Sequence, residues 1–430
     1  MSDLIPNWRL RQMFSLRLSR MYRDEVPAYG HLIDITRRVA PPGAHVDGDD
    51  VRHGAVRVAL PGELSLLRRA FGLLGMHPVG YYDLAAAGLP VHSTAFRPLT
   101  ASEISRNPFR LFVSLVRLDQ IASPSLLRDA ERLMQARSVF TPGMLALIER
   151  AETGGGMSQS DSEVFLDNFL ETFRWQGQSV ASQQVYEAMM GEHPLLADIV
   201  CFRNPHINHL TLHVPDIDAV QSEMISEGLP AKEKIEGPPR RKCHVLLRQT
   251  AFRALKENIR FNATDGSKTE GTHTARFGEI EQRGGALTAK GMALYDQCLS
   301  NNNFTDLPDD WDTLRREGLA WFRYARTAKA LPQEFKATPA SPEHIEKMLQ
   351  AGLLIAEPIV YEDFLPVSAA GIFRSNLGQT AETTAGQAGN KAIFEQALGG
   401  ELHDPQALYL AEEERSLKAA LRPDEDALNA

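Results

Sequence analysis

Thr94-Ala95-Phe96-Arg97 recurs as Thr250-Ala251-Phe252-Arg253, and each copy follows a histidine by the same interval, 41 positions from His53 to Thr94 and from His209 to Thr250. A shared tetrapeptide arises easily by chance; a shared histidine spacing is a second coincidence, and the local patterns supply a third. In the first copy, His53 to Val58 reads as a strand, Pro61 opens a stretch with Leu64, Leu67, Phe71 and Leu74 at helical period, and Gly75 stops it. His77 to Tyr82, Val91 to Arg97 and Leu111 to Val116 then read as strands, with Gly88-Leu89-Pro90 turning between the first two. In the second copy Ile207 to Val214 is the strand, Asp216 to Glu227 the helix, and Val245 to Leu247, Ile259 to Phe261 and Thr274 to Ile280 the later strands. Both run β-α-β-β-β, so the expected fold is α+β on a duplicated βαβββ core sheet.

Five segments follow: 1–50, an N-terminal helical segment; 51–121, the first βαβββ module; 122–206, a helical insertion; 207–286, the second module; and 287–430, a mostly helical C-terminal region contributing to the site. Near the N-terminus, Leu10, Met13, Phe14, Leu18, Met21 and Tyr22 recur at helical spacing, which predicts a docked amphipathic helix and not a signal peptide. Leu126, Ala130, Leu133, Phe165, Phe169 and Phe173 carry the same signal through the insertion. Leu287 to Tyr295 opens the C-terminal region, which includes Trp311, Trp321 and Phe322, and Glu412 to Asp426 reads as a solvated helix.

Composition removes several classes. With 46 Lys and Arg against 55 Asp and Glu, the net charge of −9 argues against nucleic acid or an anionic membrane as partner. Three cysteines, none in a CxxC pair, fit a reducing cytoplasm and leave no thiolate zinc site. No apolar run approaches the ~20 residues of a membrane span. There is no GxSxG elbow, no Walker loop and no GxGxxG after a strand. Any metal must be held by imidazole and carboxylate.

A strand's period of two puts His53, Ala55 and Arg57 on one face. Four residues at roughly 3.3 Å each leave about 13 Å between the Cα atoms of His53 and Arg57, a gap a long arginine closes to grip the far carboxylate of a ligand held at the histidine. Taken alone, the strand is also served by His53 capping a turn and Arg57 in a surface ion pair; the repeat favours the shared cavity. His209 lies in a run from His206 to His213 between Pro205 and Pro215, which leave too little room for a zinc-binding helix. As a strand, the run puts His209 and His213 on one inward face, with His206 near the strand's start. Judged singly, His206 and His213 fit satisfied core or rim histidines.

The third ligand is expected to be a carboxylate, because two imidazoles and one carboxylate leave three positions open on Fe(II), whereas a third imidazole suits hydrolytic zinc. Phe277 to Arg283 is the candidate stretch: Glu279 and Glu281 point to the same side of a strand, which is costly in a core unless a cation compensates. A solvated edge strand is the alternative, and spacing does not separate Glu279 from Glu281. His92 reads as a hydrogen-bonded core histidine, and Pro239-Arg240-Arg241-Lys242 as a solvated basic turn.

His53-Gly54-Ala55-Val56-Arg57, Gly80-Tyr81-Tyr82-Asp83-Leu84, Val91 to Arg97, Ile207-Asn208-His209-Leu210-Thr211, Phe277 to Gly284 and Pro366 to Phe373 together resemble the 2-oxoadipate dioxygenase/decarboxylase (2-hydroxyglutarate synthase) family, a divergent branch of the vicinal oxygen chelate superfamily. The resemblance implies a nonhaem Fe(II) oxidoreductase of lysine catabolism that turns 2-oxoadipate and O2 into 2-hydroxyglutarate and CO2. It implies His53, His209 and Glu279 as the catalytic metal ligands, Arg57 as the substrate-binding arginine, and Val367 and Ser368 approaching the substrate. Two other readings stand beside it. One is a nonredox metal-dependent isomerase or lyase of the same fold, and the other a noncatalytic dicarboxylate-binding module in which Leu287 to Tyr295 begins a winged-helix-like element.

Overall fold

The computed structural model describes residues 4–41, 51–262, 268–330, 332, 341–365 and 389–421. The chain divides into two compact units, Met1–Gly237 with Arg248–Gln282 and Asp363–His403, and Pro238–Leu247 with Arg283–Glu362 and Asp404–Ala430.

In the first unit, the first module supplies β1 (Val51–Val58), α3 (Pro61–Leu73), β2 (His77–Asp83), β3 (Val91–Arg97) and β4 (Arg110–Val116). The second supplies β5 (Ile207–His213), α10 (Ile217–Ser226), β6 (Leu247–Ala251), β7 (Lys256–Asn262), β8 (Lys268–Thr274) and β9 (Phe277–Arg283). Seven of these strands form one sheet in the order β2-β3-β4-β1-β5-β9-β6. The first strands of the modules, β1 and β5, pair antiparallel at its centre, and each has its own module's last strand parallel beside it, β4 next to β1 and β9 next to β5. Next outward come β3 and β6, where the repeated tetrapeptide starts in both modules. The duplicated α+β core sheet expected from the repeat is therefore present.

The second module departs from the first in two ways. Its second strand is reduced to isolated bridges, Ala231 with Phe252 and Glu236 with Gln249, and β7 and β8 pair with each other in a separate two-stranded sheet. The single strand expected over Thr274 to Ile280 is the end of β8 and the start of β9. Between them Arg276 turns inward, bonding Glu257 of β7 with Nε to Oε2 at 2.9 Å and reaching Glu25, and this buried ion pair marks the break in the ladder.

One face of the sheet is covered by helices. The buried sides of α1 (Asn7–Glu25; Leu10, Phe14, Leu18, Tyr22) and α2 (Pro27–Val39; Tyr29, Leu32, Ile33) join Leu64, Leu67 and Phe71 of α3 in one apolar cluster. The insertion is five helices, α5 (Pro124–Gln135), α6 (Pro142–Thr153), α7 (Gln159–Glu171), α8 (Gln183–Glu192) and α9 (Pro194–Val200). Its Phe165 and Phe169 enter the same cluster, with Phe169 stacked on Phe14 at 4.9 Å between centroids. Each such side chain contributes roughly 1.5–3 kcal/mol by leaving water.

The second unit contains α11 (Ala289–Ser300), α12 (Trp311–Arg316), helices at Pro342–Gln350 and Pro405–Ala420, and a two-stranded sheet of β10 (Phe322–Arg326) and β11 (Leu354–Pro358). Phe322, expected in a helical stretch, starts a strand instead. Arg241 is not merely solvated either, since its Nη1 donates to Phe304 O at 2.7 Å. Among the described residues, no helix is long and apolar enough to cross a membrane.

Candidate metal centre

His53 on β1, His209 on β5 and Glu279 on β9 come together on the sheet face away from α1 and α2, and their ligating atoms lie within 4.8 Å of one another. Strand register builds this row. His53 is opposite Thr211 across the β1/β5 pair, and Thr211 is opposite Glu279 across β5/β9. The Thr211 hydroxyl stands between them, 3.0 Å from His53 Nε2 and donating to Glu279 Oε1 at 3.0 Å. The two imidazoles are nearly perpendicular with centroids 5.6 Å apart.

His209 depends on a local irregularity. Ala55 pairs with His209, but Val56 pairs with Ile207, so Asn208 is an extra residue in β5. On the helix-covered face, a Cβ added at Gly54 would come within 2.8 Å of Leu210 Cδ2 and 3.0 Å of Ile207 Cδ1. Leu210 and Ile207 therefore fill the space behind Gly54, and the bulge lets neighbouring Asn208 and His209 both serve the opposite face. Gly278 has the same role behind Glu279, where a Cβ would lie 2.5 Å from Phe252 Cε1.

The three side chains are buried, with exposures of 1%, 4% and 1% for His53, His209 and Glu279. Burial pushes His209 down to about 3, with Glu279 opposing and the charges of His53, Arg57 and Lys232 adding to the fall, so its imidazole is neutral at pH 7. Burial also pushes His53 down, but the carboxylates of Glu281 and Glu279 outweigh it and hold His53 above its ordinary value. Glu279 is raised by burial and pulled lower still by its bond to His53 and by the two imidazoles.

Three buried atoms of the row, His53 Nδ1, His209 Nδ1 and Glu279 Oε2, have no hydrogen-bond partner among the described residues. An unmet buried polar atom costs about 1–3 kcal/mol, and a divalent cation would satisfy the carboxylate at once. Two nitrogens and one oxygen with this burial fit such an ion. Around them the supports are in place: Glu281 Oε2 lies 2.8 Å from His53 Nδ1, and Gln249 Nε2 donates to Glu279 Oε1 at 2.6 Å. Phe277 stacks on His209 at 4.7 Å and the Phe364 edge meets His53 at 4.9 Å.

Arg57 shares the sheet face with His53 but does not make a surface ion pair. It is buried, with Nη1 bonded to Asp198 of α9, and Asp198 also receives bonds from His206, His273 and Asn208. His206 is thus a satisfied core histidine. His213 corrects an expectation: it is level with Glu281 in the β5/β9 register, but at the end of β5 it is exposed and not buried with His209. His92 is buried as expected, its Nδ1 3.3 Å from Tyr81 Oη. Val367 and Ser368 lie outside the described residues. Sequence reasoning did not find Thr211, Gln249, Asp198, His273 or Phe364. Thr211 carried a signal, two positions beyond His209 on the same strand face; the others come from distant segments with none.

Fold and site together define a class, an α+β enzyme whose candidate metal site of two histidines and one carboxylate sits on the central strands of a duplicated sheet. Residues 14–376 match the family model described as 2-oxoadipate dioxygenase/decarboxylase. Proteins of that name from Escherichia coli strain K12 and Pseudomonas putida are 43% and 42% identical to this chain, each over 97% of it and over 98% and 97% of their own lengths. The crystal structure of hydroxyglutarate synthase from Pseudomonas putida in complex with 2-oxoadipate matches with a TM-score of 0.87 at 39% identity, covering 100% of both chains. The chain belongs to the 2-oxoadipate dioxygenase/decarboxylase family and is an oxidoreductase.

Proposed function

We propose that this chain is a mononuclear nonhaem Fe(II) dioxygenase that converts 2-oxoadipate and O2 to 2-hydroxyglutarate and CO2 in the breakdown of lysine. His53, His209 and Glu279 are its metal ligands, and Arg57, Val367 and Ser368 bind the substrate. The observation that carries this reading is the convergence of two imidazoles and one carboxylate, buried and short of partners, from three adjacent strands. Family membership and the 2-oxoadipate bound to the Pseudomonas putida structure support the substrate. Three free, buried cysteines agree with a reducing, cytoplasmic setting.

Fe(II) held there would bind the 2-oxo acid and O2 together and mediate the passage of electrons from the 2-oxo acid to O2. The protein's part is placement. The Glu281 carboxylate faces His53 Nδ1 at 2.8 Å as a charge partner, while Thr211 and Gln249 occupy Glu279 Oε1, which leaves Oε2 to face the ligand set. Depressed basicity keeps His209 a neutral donor at working pH. Arg57 holds the distal carboxylate, fixing which carbon and which of its faces is presented; such orientation contributes several kcal/mol, on the order of an entropy trap. Phe277, Phe364 and Phe112 keep water from the centre.

The test is anaerobic loading with Fe(II), addition of 2-oxoadipate and admission of air. Consumption of one O2 per 2-hydroxyglutarate and CO2 formed is expected. Turnover of a 2-oxo acid without O2 uptake would instead indicate a nonredox isomerase or lyase.

A further inference from the structure

Beside the metal centre lies a second buried polar cluster that the reaction as described does not use. Asp198, 3% exposed, receives His206 Nε2 at 3.1 Å and His273 Nε2 at 2.9 Å on Oδ1, and Asn208 Nδ2 at 3.2 Å and Arg57 Nη1 on Oδ2. Tyr186 Oη stands 2.9 Å from His273 Nδ1, extending the network to α8. The three acidic and imidazole groups lie close enough together to hold a cation. The carboxylate already faces one, however, the guanidinium of Arg57, and both of its oxygens are taken. A second metal would sit against like charge in a buried site.

We propose that Asp198 is a positioning residue for Arg57, and that the cluster behind it sets the enzyme's preference for a 2-oxo acid with a distal carboxylate at the length of 2-oxoadipate. This rests on the role of Arg57 under the proposed function. Three features carry it. A guanidinium is a planar fork of donors, so anchoring Nη1 fixes the plane in which the remaining fork lies. Arg57 and His53 share β1, and Asn208 and His209 are neighbours in the β5 bulge, so one strand pair sets the separation between the carboxylate grip and the metal ligands. Finally, three further donors on Asp198, from His206, His273 and Asn208, share its negative charge, so the pair with Arg57 does not cancel the arginine's pull on a second carboxylate.

The test compares 2-oxoadipate, 2-oxoglutarate and 2-oxohexanoate, the last lacking a distal carboxylate, with wild type, Asp198→Asn, His273→Gln and Arg57→Lys. Dissociation constants are measured on Co(II)-loaded protein without O2, KM and kcat on the Fe(II) form, and metal content by elemental analysis. Asp198→Asn is expected to raise the 2-oxoadipate Kd and KM at least tenfold, with kcat within about threefold, metal content unchanged, and 2-oxohexanoate binding altered less than twofold. His273→Gln should show the same selective loss at about threefold, which protects the test should Asp198→Asn fold poorly. Adding Asp198→Asn to Arg57→Lys should cost little more than Arg57→Lys alone. Equal losses for 2-oxoadipate and 2-oxohexanoate, or a second metal equivalent in wild type that Asp198→Asn removes, would overturn the proposal. Indifference of both variants in an otherwise active enzyme sinks this inference alone, whereas a wild type that neither binds nor converts 2-oxoadipate sinks the proposed function with it.

Discussion

Two glutamates on one strand face have different neighbours because of the strand register. Glu279 is level with Thr211 and shares a ring of donors with His53 and His209, while Glu281 meets the outer nitrogen of His53 and lies 3.7 Å from Arg52 Nε. Sequence alone left the two open, since a period of two treats them alike and only the β5/β9 register separates them. Elemental analysis after desalting should find Glu279→Ala, His53→Ala and His209→Ala stripped of metal and inactive. Glu281→Gln should keep the metal but bind it about 10–100-fold more weakly, the usual cost of losing a group that orients a ligand. Full metal in Glu279→Ala beside an empty Glu281→Gln would move the ligand two positions along β9.

At the level of elements, the repeat made the central sheet legible because hydrophobic period and turn residues mark β1 to β4 and β5 with its helix clearly. The bulge at Asn208 was not legible, since nothing in Ile207-Asn208-His209 departs from a regular strand pattern. Of the β7/β8 pair, Ile259 to Phe261 was legible as a strand, while Lys268–Thr274 and its pairing with β7 were not, because a polar run such as Lys268-Thr269-Glu270 lacks the apolar alternation that marks a strand. By contrast β10 had a partial signal, as Phe322-Arg323-Tyr324 alternates in polarity and the whole strand alternates in burial. Gly54 tests the packing behind the ligands: a Cβ would also stand 3.1 Å from His209 O. Gly54→Ala should cost about 1–3 kcal/mol in denaturant unfolding and loosen metal retention; an unchanged midpoint would refute the close approach. Nearby, Arg97 grips Asp363 with Nε to Oδ1 at 2.8 Å and Nη2 to Oδ2 at 3.2 Å, in the segment that carries Phe364 to His53. Arg97→Met strands a buried carboxylate and should cost about 3–5 kcal/mol, most of it recovered when Asp363→Leu is added. A double variant no better than the single would contradict this.

For the whole molecule, acidity of the surface and burial of histidines act on stability together. His92 is driven down to about 4 by burial and by the charge of Arg117, against Asp83 and Asp119. A histidine whose folded value lies below its unfolded 6.5 contributes stability that is complete above pH 6.5 and is lost as pH falls toward the folded value. Between pH 7.5 and 5, wild type should therefore lose about 2 kcal/mol more unfolding free energy than His92→Gln, at 1.36 kcal/mol per pH unit; parallel losses would place the imidazole in water. If three side chains from two related modules hold one catalytic metal, as proposed, anaerobic metal titration will count it. One Fe(II) per chain bound by wild type, and none by folded His53→Ala, His209→Ala or Glu279→Ala, is the expected result. A full equivalent retained by any of the three would contradict it.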